Sequence, residues 1–184
     1  MSQPLALSLS IATLGAIWAF IALVDPLNGY LLVWAGFIAW GCFFHTGGDD
    51  KALMKTIVGN AYGVVVAWIA LLIIVNVSVP ALGTVWPALV VGFTVFFLVI
   101  VLQIDALSSV PANVYGYAAT VAYSLTKPSV APVTPGEMGT GPLQNLLAAS
   151  FANPLILLIV SLAIGAVFGY VSGKIATRLT KQPA

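Results

Sequence analysis

Apolar runs of membrane-crossing length alternate with short polar breaks along this chain, and the breaks carry residues that stop helices. About 20 apolar residues cross the hydrocarbon of a bilayer, and six runs approach that length. The first extends from about Leu5 to Val24 and closes at Asp25-Pro26 and the turn Asn28-Gly29. The second covers about Tyr30 to Phe44 and stops at Gly47-Gly48-Asp49-Asp50. The third runs from about Leu53 to Val77, before Pro80 and Gly83. The fourth begins at Trp86-Pro87, with proline in the first turn where its missing N–H costs nothing, and ends near Gln103. A fifth is predicted from about Ala106 to Leu125, and a sixth from Asn153-Pro154, a capping residue followed by proline, to about Gly173. Between the last two, residues 127–142 hold too many Pro and Gly residues for regular structure and read as an external loop. Leu143 to Ala152 is long enough for a ten-residue helix, too short to span, expected to lie along the surface with a re-entrant half-helix as the alternative.

The runs repeat. Gly15 is followed 77 positions later by Gly92, and the stretch from Trp34 to Gly41 by the stretch from Pro111 to Ala118. Ala61-x-Gly63-x-x-x-Ala67-Trp68 returns as Ala163-x-Gly165-x-x-x-Gly169-Tyr170, offset by 102 (165 − 63), the extra 25 (102 − 77) being the loop insertion. A repeat holding three spans must enter the bilayer from the face opposite to its twin, an arrangement common in proteins that move solutes. The predicted fold is therefore an all-α integral membrane protein: six transmembrane helices as two inverted three-helix repeats. They form a single membrane domain over residues 1–184, with repeat one at about 5–77, repeat two at about 85–174 and the external insertion at 127–152.

Composition agrees with this solvent. Hydrophobic residues make up 61% and charged residues 6%, against roughly 25% charged in soluble domains. A net charge of +1 leaves no basic footprint for nucleic acid. The N-terminus carries no Lys or Arg ahead of the first apolar run and does not read as a cleavable signal peptide. Lys51, Lys55, Lys174, Arg178 and Lys181 fall on one side of the predicted bundle and Lys127 on the other, so the positive-inside rule places both termini in the cytoplasm.

Candidate chemistry is sparse. His45 is the single histidine and Cys42 the single cysteine, with no partners at metal-ligand spacing and no serine matched to a base. No cofactor, metal or enzyme activity is expected. Asp25 and Asp105 close the first helix of their repeats near an interface, so ion-coupled pumping through a mid-membrane carboxylate is disfavoured. Polar side chains within the apolar runs concentrate in the second and third helices of each half. Packing between helices is the plain account of them. Against it, Pro111 would free the carbonyl four residues earlier and kink helix five beside Asn113.

The pore-lining candidates are Trp34, Pro111, Asn113, Tyr115, Tyr117, Thr120 and Asn153. They centre where helices two and five meet. Pro111 and Tyr115 share one helix face and Asn113 and Tyr117 another. The second set is expected to face the path, because an amide and a hydroxyl gain most from water in an apolar bundle.

Gly15-x-x-Trp18, Trp34-Ala35-Gly36-Phe37 leading to Phe43-Phe44 and Gly47-Gly48, Gly63-x-x-x-Ala67-Trp68, Val110-Pro111 leading to Gly116 and Ala118-Ala119-Thr120, and Gly165-x-x-Phe168-Gly169-Tyr170 stand in order. This series resembles the small bacterial inner-membrane family known as domain of unknown function 1097. The resemblance implies a bacterial inner (cytoplasmic) membrane location and brings no activity. From the residues, the expected function is a channel or facilitator for a small, uncharged polar solute, urea- or amide-like. The alternative is a structural or accessory membrane subunit without transport activity. Besides lipid and solute, the expected partner is the chain itself in a homo-oligomer, with a trimer as the working stoichiometry, since six helices leave much surface and small-residue rows serve between subunits as well as within them.

Overall fold

A computed structural model describes residues 1–125 and 142–180. Among the described residues the regular elements are helical, with six α-helices: α1 Gln3–Leu23, α2 Val33–His45, α3 Asp50–Asn76, α4 Val85–Ile100, α5 Val110–Leu125 and α6 Pro154–Leu179. Four are long and apolar enough to cross a membrane, α1, α3, α4 with its 3-10 extension to Gln103, and α6. Helix α2 has 13 residues and α5 has 16, lengths of about 20 and 24 Å at 1.5 Å per residue. This is a membrane protein. Phe20, Phe93 and Phe96 on α1 and α4 are each more than half exposed, a surface suited to lipid rather than water.

The polar breaks end the helices much as the sequence predicts. Asp49 accepts from the backbone N–H of Ala52 at 2.7 Å and starts α3 one turn earlier than the apolar run suggests. Asn153 caps α6 through the N–H of Leu155 at 2.9 Å. Helix α6 continues past Gly173, so Lys174 and Arg178 lie in its last turns rather than beyond it.

Two expectations are corrected. Helix α5 begins at Val110, so Pro111 lies in its first turn and introduces no kink. In a helix running on from Ala106, the proline ring would strike the Leu107 carbonyl. Instead Asp105–Leu107 closes a separate 3-10 turn, and the freed Leu107 carbonyl accepts from Asn113 Nδ2 at 3.0 Å. The ten-residue helix over 143–152 does not form. Pro142–Asn145 makes a 3-10 turn and the chain then folds through turns. Its carbonyls are taken by side chains: Leu146 O by Trp68 Nε1 at 2.7 Å and Asn153 Nδ2 at 3.0 Å, and Ala148 O by the same Asn153 amide. Of the expected external loop over 127–142, residues 127–141 lie outside the described residues.

The helices of the two halves interlock. Helix α3 packs chiefly on α5 and α2 on α6, while α1 leans on α6 and α4 on α3. A side chain at Gly63 would strike the Asn113 carbonyl of α5, and one at Gly165 the Gly36 carbonyl of α2. These contacts correspond under the sequence offsets, since 165 − 63 is 102 and 113 − 36 is 77. Glycine is required at both, because helix backbones meet there with no room for a Cβ. Such seams set the core, in which Ala35, Ala39, Val64, Ala119, Leu158, Leu162 and Ala166 form one buried cluster.

Candidate functional site

The seams decide which way α2 and α5 present their side chains. On α2, Ala35, Gly36 and Ala39 turn inward, which leaves Trp34, Phe37, Ile38 and Gly41 on the outer face. On α5, Gly116 packs against the Asn60 backbone. That contact turns Ala112, Asn113, Tyr117 and Thr120 into the bundle and Tyr115, Ala118 and Ala122 away from it. Between the outward faces runs an open groove of about 540 Å³, lined by the four α2 residues, Cys42, Tyr115, Ala118, Ala119 and Ala122. Bulky aromatic rings on one wall and alanines on the other give it its width.

Trp34 and Tyr115 are the sequence-predicted residues that the groove brings together. Asn113 is fully buried, its Nδ2 donating to Leu98 O at 2.9 Å and to Leu107 O. Tyr117 pairs its hydroxyl with Thr94 Oγ1 at 3.0 Å. Thr120 donates to the Gly116 carbonyl of its own helix at 2.8 Å, and Asn153 holds the 146–148 turn. Pro111 is half-buried in the first turn of α5. The preference for Asn113 and Tyr117 as the groove-facing set is therefore reversed in favour of Tyr115. Helix spacing separates the two sets, but the roll of α5 is fixed by Gly116.

One mouth of the groove is tied by polar contacts. His45, the last residue of α2, places Nδ1 3.1 Å from the Tyr115 hydroxyl. Thr46 and Ser109 pair their hydroxyls at 3.2 Å. Nearby, Lys55 meets Asp105 at 3.2 Å, and Lys174 meets Asp50 at 2.9 Å. The Met1 amino group donates to Leu179 O at 3.3 Å, so the two described ends of the chain meet. Sequence reasoning missed His45 as a partner of Tyr115. The signal available was that both are polar and lie on the paired helices two and five, His45 at the end of its run. Among the described residues no group of three His, Cys, Asp or Glu side chains converges as a metal site.

The family model for protein of unknown function DUF1097 matches residues 8–177. The chain belongs to that family. This DUF1097 protein matches no curated protein and no solved structure. The match covers all six α-helices in whole or large part, so the groove between α2 and α5 lies within the DUF1097 region. Its chemistry must be read from its own lining. That lining offers one phenolic hydroxyl, one indole and one thiol among apolar walls, a surface that accommodates a small neutral molecule and provides no counter-ion for a charged one.

Proposed function

We propose that this protein is a passive facilitator for a small, uncharged polar solute of the urea or amide kind, and that it transports rather than catalyses. The carrying observation is the groove of about 540 Å³ between α2 and α5, which Trp34 and Tyr115 both line. In this reading all six helices cross the bilayer, the short α2 and α5 forming an inner pair. The two halves are inverted repeats about an axis in the membrane plane, a reading supported by the paired Gly63–Asn113 and Gly165–Gly36 contacts. The ion pairs Lys55–Asp105 and Lys174–Asp50 then lie on the cytoplasmic side of the bacterial inner membrane with both termini. A homo-oligomer, with a trimer as working stoichiometry, would close the open side of the groove.

The accessory-subunit reading draws on Asn113, Tyr117 and Thr120, whose polar groups serve helix contacts. Light-scattering measurements on proteoliposomes distinguish the two. The facilitator reading expects urea or acetamide entry faster than into protein-free vesicles. Equal rates for every small neutral solute, together with a stable co-purifying protein, would replace it with the accessory reading.

A further inference from the structure

Two polar side chains behind the groove floor are not explained by packing. Asn60 on α3 is 1% exposed, and neither its amide nitrogen nor its carbonyl oxygen finds a hydrogen-bond partner. Thr56, one turn earlier on the same face and fully buried, has only the Cys42 thiol as a partner for its hydroxyl. In hydrocarbon each such group is costly. Asn113 differs, because its Nδ2 has two carbonyl acceptors and its Oδ1 lies against the Gly59 backbone, where a Cα–H can approach it.

The other half of the molecule shows what packing alone uses at these positions. Under the offset of 102, Thr56 corresponds to Leu158 (158 − 56) and Asn60 to Leu162 (162 − 60). Those leucines are buried to 0% and 1%, matching their counterparts, and they belong to the central apolar cluster. In the inverted-repeat reading leucine fills the equivalent space, and the polar pair in α3 is not imposed by the fold.

Thr56 faces the thiol of Cys42, which lines the groove. Asn60 stands at four-residue spacing between Thr56 and Val64, and Val64 shares the buried cluster with Ala39 and Ala119. Ala119 is the other floor residue. The small side chains of Cys42 and Ala119 therefore separate the groove from a carboxamide with free donors and acceptor and from a hydroxyl held only by the Cys42 thiol.

We propose that Asn60 and Thr56 form a binding site for a neutral molecule carrying both an N–H donor and a C=O acceptor, a primary carboxamide or urea, reached from the groove past Cys42 and Ala119. The carboxamide of Asn60 can donate to the solute carbonyl and accept from its NH2 at once, and the Thr56 hydroxyl supplies a third contact. No charged group takes part, so ions are not bound. This assignment rests on the facilitator reading and names its site.

The test combines flux, stability and a direct view of the Asn60 amide. In proteoliposomes, Asn60→Leu and Thr56→Val are expected to lower acetamide entry, Asn60→Leu by about tenfold, as for the loss of one or two solute hydrogen bonds. The melting temperature of Asn60→Leu should stay level or rise, because a leucine already occupies the counterpart site. In nitrogen-15-labelled protein in detergent, the side-chain NH2 signal missing from Asn60→Leu should shift as acetamide is added. Unchanged flux in both variants, or no shift of that signal, overturns the site while leaving the facilitator reading intact. A marked fall in melting temperature for Asn60→Leu would make Asn60 a packing residue and also overturn it. A shift at Asn60 in a protein that gives no flux keeps the binding site and removes the facilitator.

Discussion

Tyr115 and Tyr117 stand two residues apart on α5 and meet different surroundings. Tyr115 lines the groove and shares a contact with His45 at its mouth. Tyr117 is buried against α3 and α4, its hydroxyl paired with Thr94. The same division runs along the helix, with Ala118 and Ala122 on the groove side and Asn113 and Thr120 on the packed side. A polar residue in an apolar run is thus no guide to a pathway by itself. What separates the two uses is whether its hydrogen bonds are already filled by backbone carbonyls and neighbouring hydroxyls. By that measure Asn113 Nδ2, Tyr117 and Thr120 on the packed face of α5 are structural, while unfilled groups remain at Ser124 on α5 and at Asn60 on α3.

This contrast can be broken in graded steps. The largest effect is expected at the seam that sets the roll of α5. Gly63→Leu drives a side chain into the Asn113 carbonyl, at or above the upper end of the roughly 1–3 kcal/mol that overpacking usually costs. Size-exclusion profiles in mild detergent should show loss of the monodisperse species. A normal profile and melting temperature would mean that the close contact does not set the helix position.

Asn113→Leu comes next. It strips the Leu98 and Leu107 carbonyls of their donor in a dry site, a loss of roughly 1–3 kcal/mol, read as a lower melting temperature. The sign should oppose that of Asn60→Leu, although both changes remove a buried asparagine amide. Tyr117→Phe removes a single hydroxyl contact between helices and should cost only about 0.6 kcal/mol. Tyr115→Phe, on the groove side, should change stability by less than about 0.5 kcal/mol, leaving any effect to appear in solute entry. A larger loss of stability for Tyr115→Phe than for Tyr117→Phe would invert the assignment of the two faces.

The helices were legible in the sequence because each long run ends at a strong breaker, Asp25-Pro26, Gly47-Gly48, Pro80 or the Asn153-Pro154 cap. The close helix contacts at Gly63 and Gly165 were legible too, since both glycines occupy the same place in the same small-residue pattern. Pro111 was misplaced for a physical reason. A proline among helix-compatible residues marks a kink or a first turn equally well, and only the separate 3-10 turn before it decides between them. The roll of α5 was beyond reach of periodicity, which grouped Asn113 with Tyr117 correctly but could not say which group faced out. Asn60 was visible as a polar residue in an apolar run, and its distinguishing property, the lack of a partner, exists only in three dimensions. The turn at 146–148 depended on Trp68, 78 residues from Leu146 in sequence, a distance at which no local pattern operates.

If solute moves along the groove between α2 and α5, Ala118→Trp should stop it. Ala118 is exposed on the groove wall, so a large ring there obstructs the space from outside the packed core. Acetamide entry should be measured by stopped-flow light scattering in vesicles holding equal amounts of wild-type and variant protein of matched melting temperature. Rapid entry is expected for the wild type and a rate near that of protein-free vesicles for Ala118→Trp. Wild-type entry no faster than that of empty vesicles, or full entry through the obstructed variant, would contradict movement along the groove.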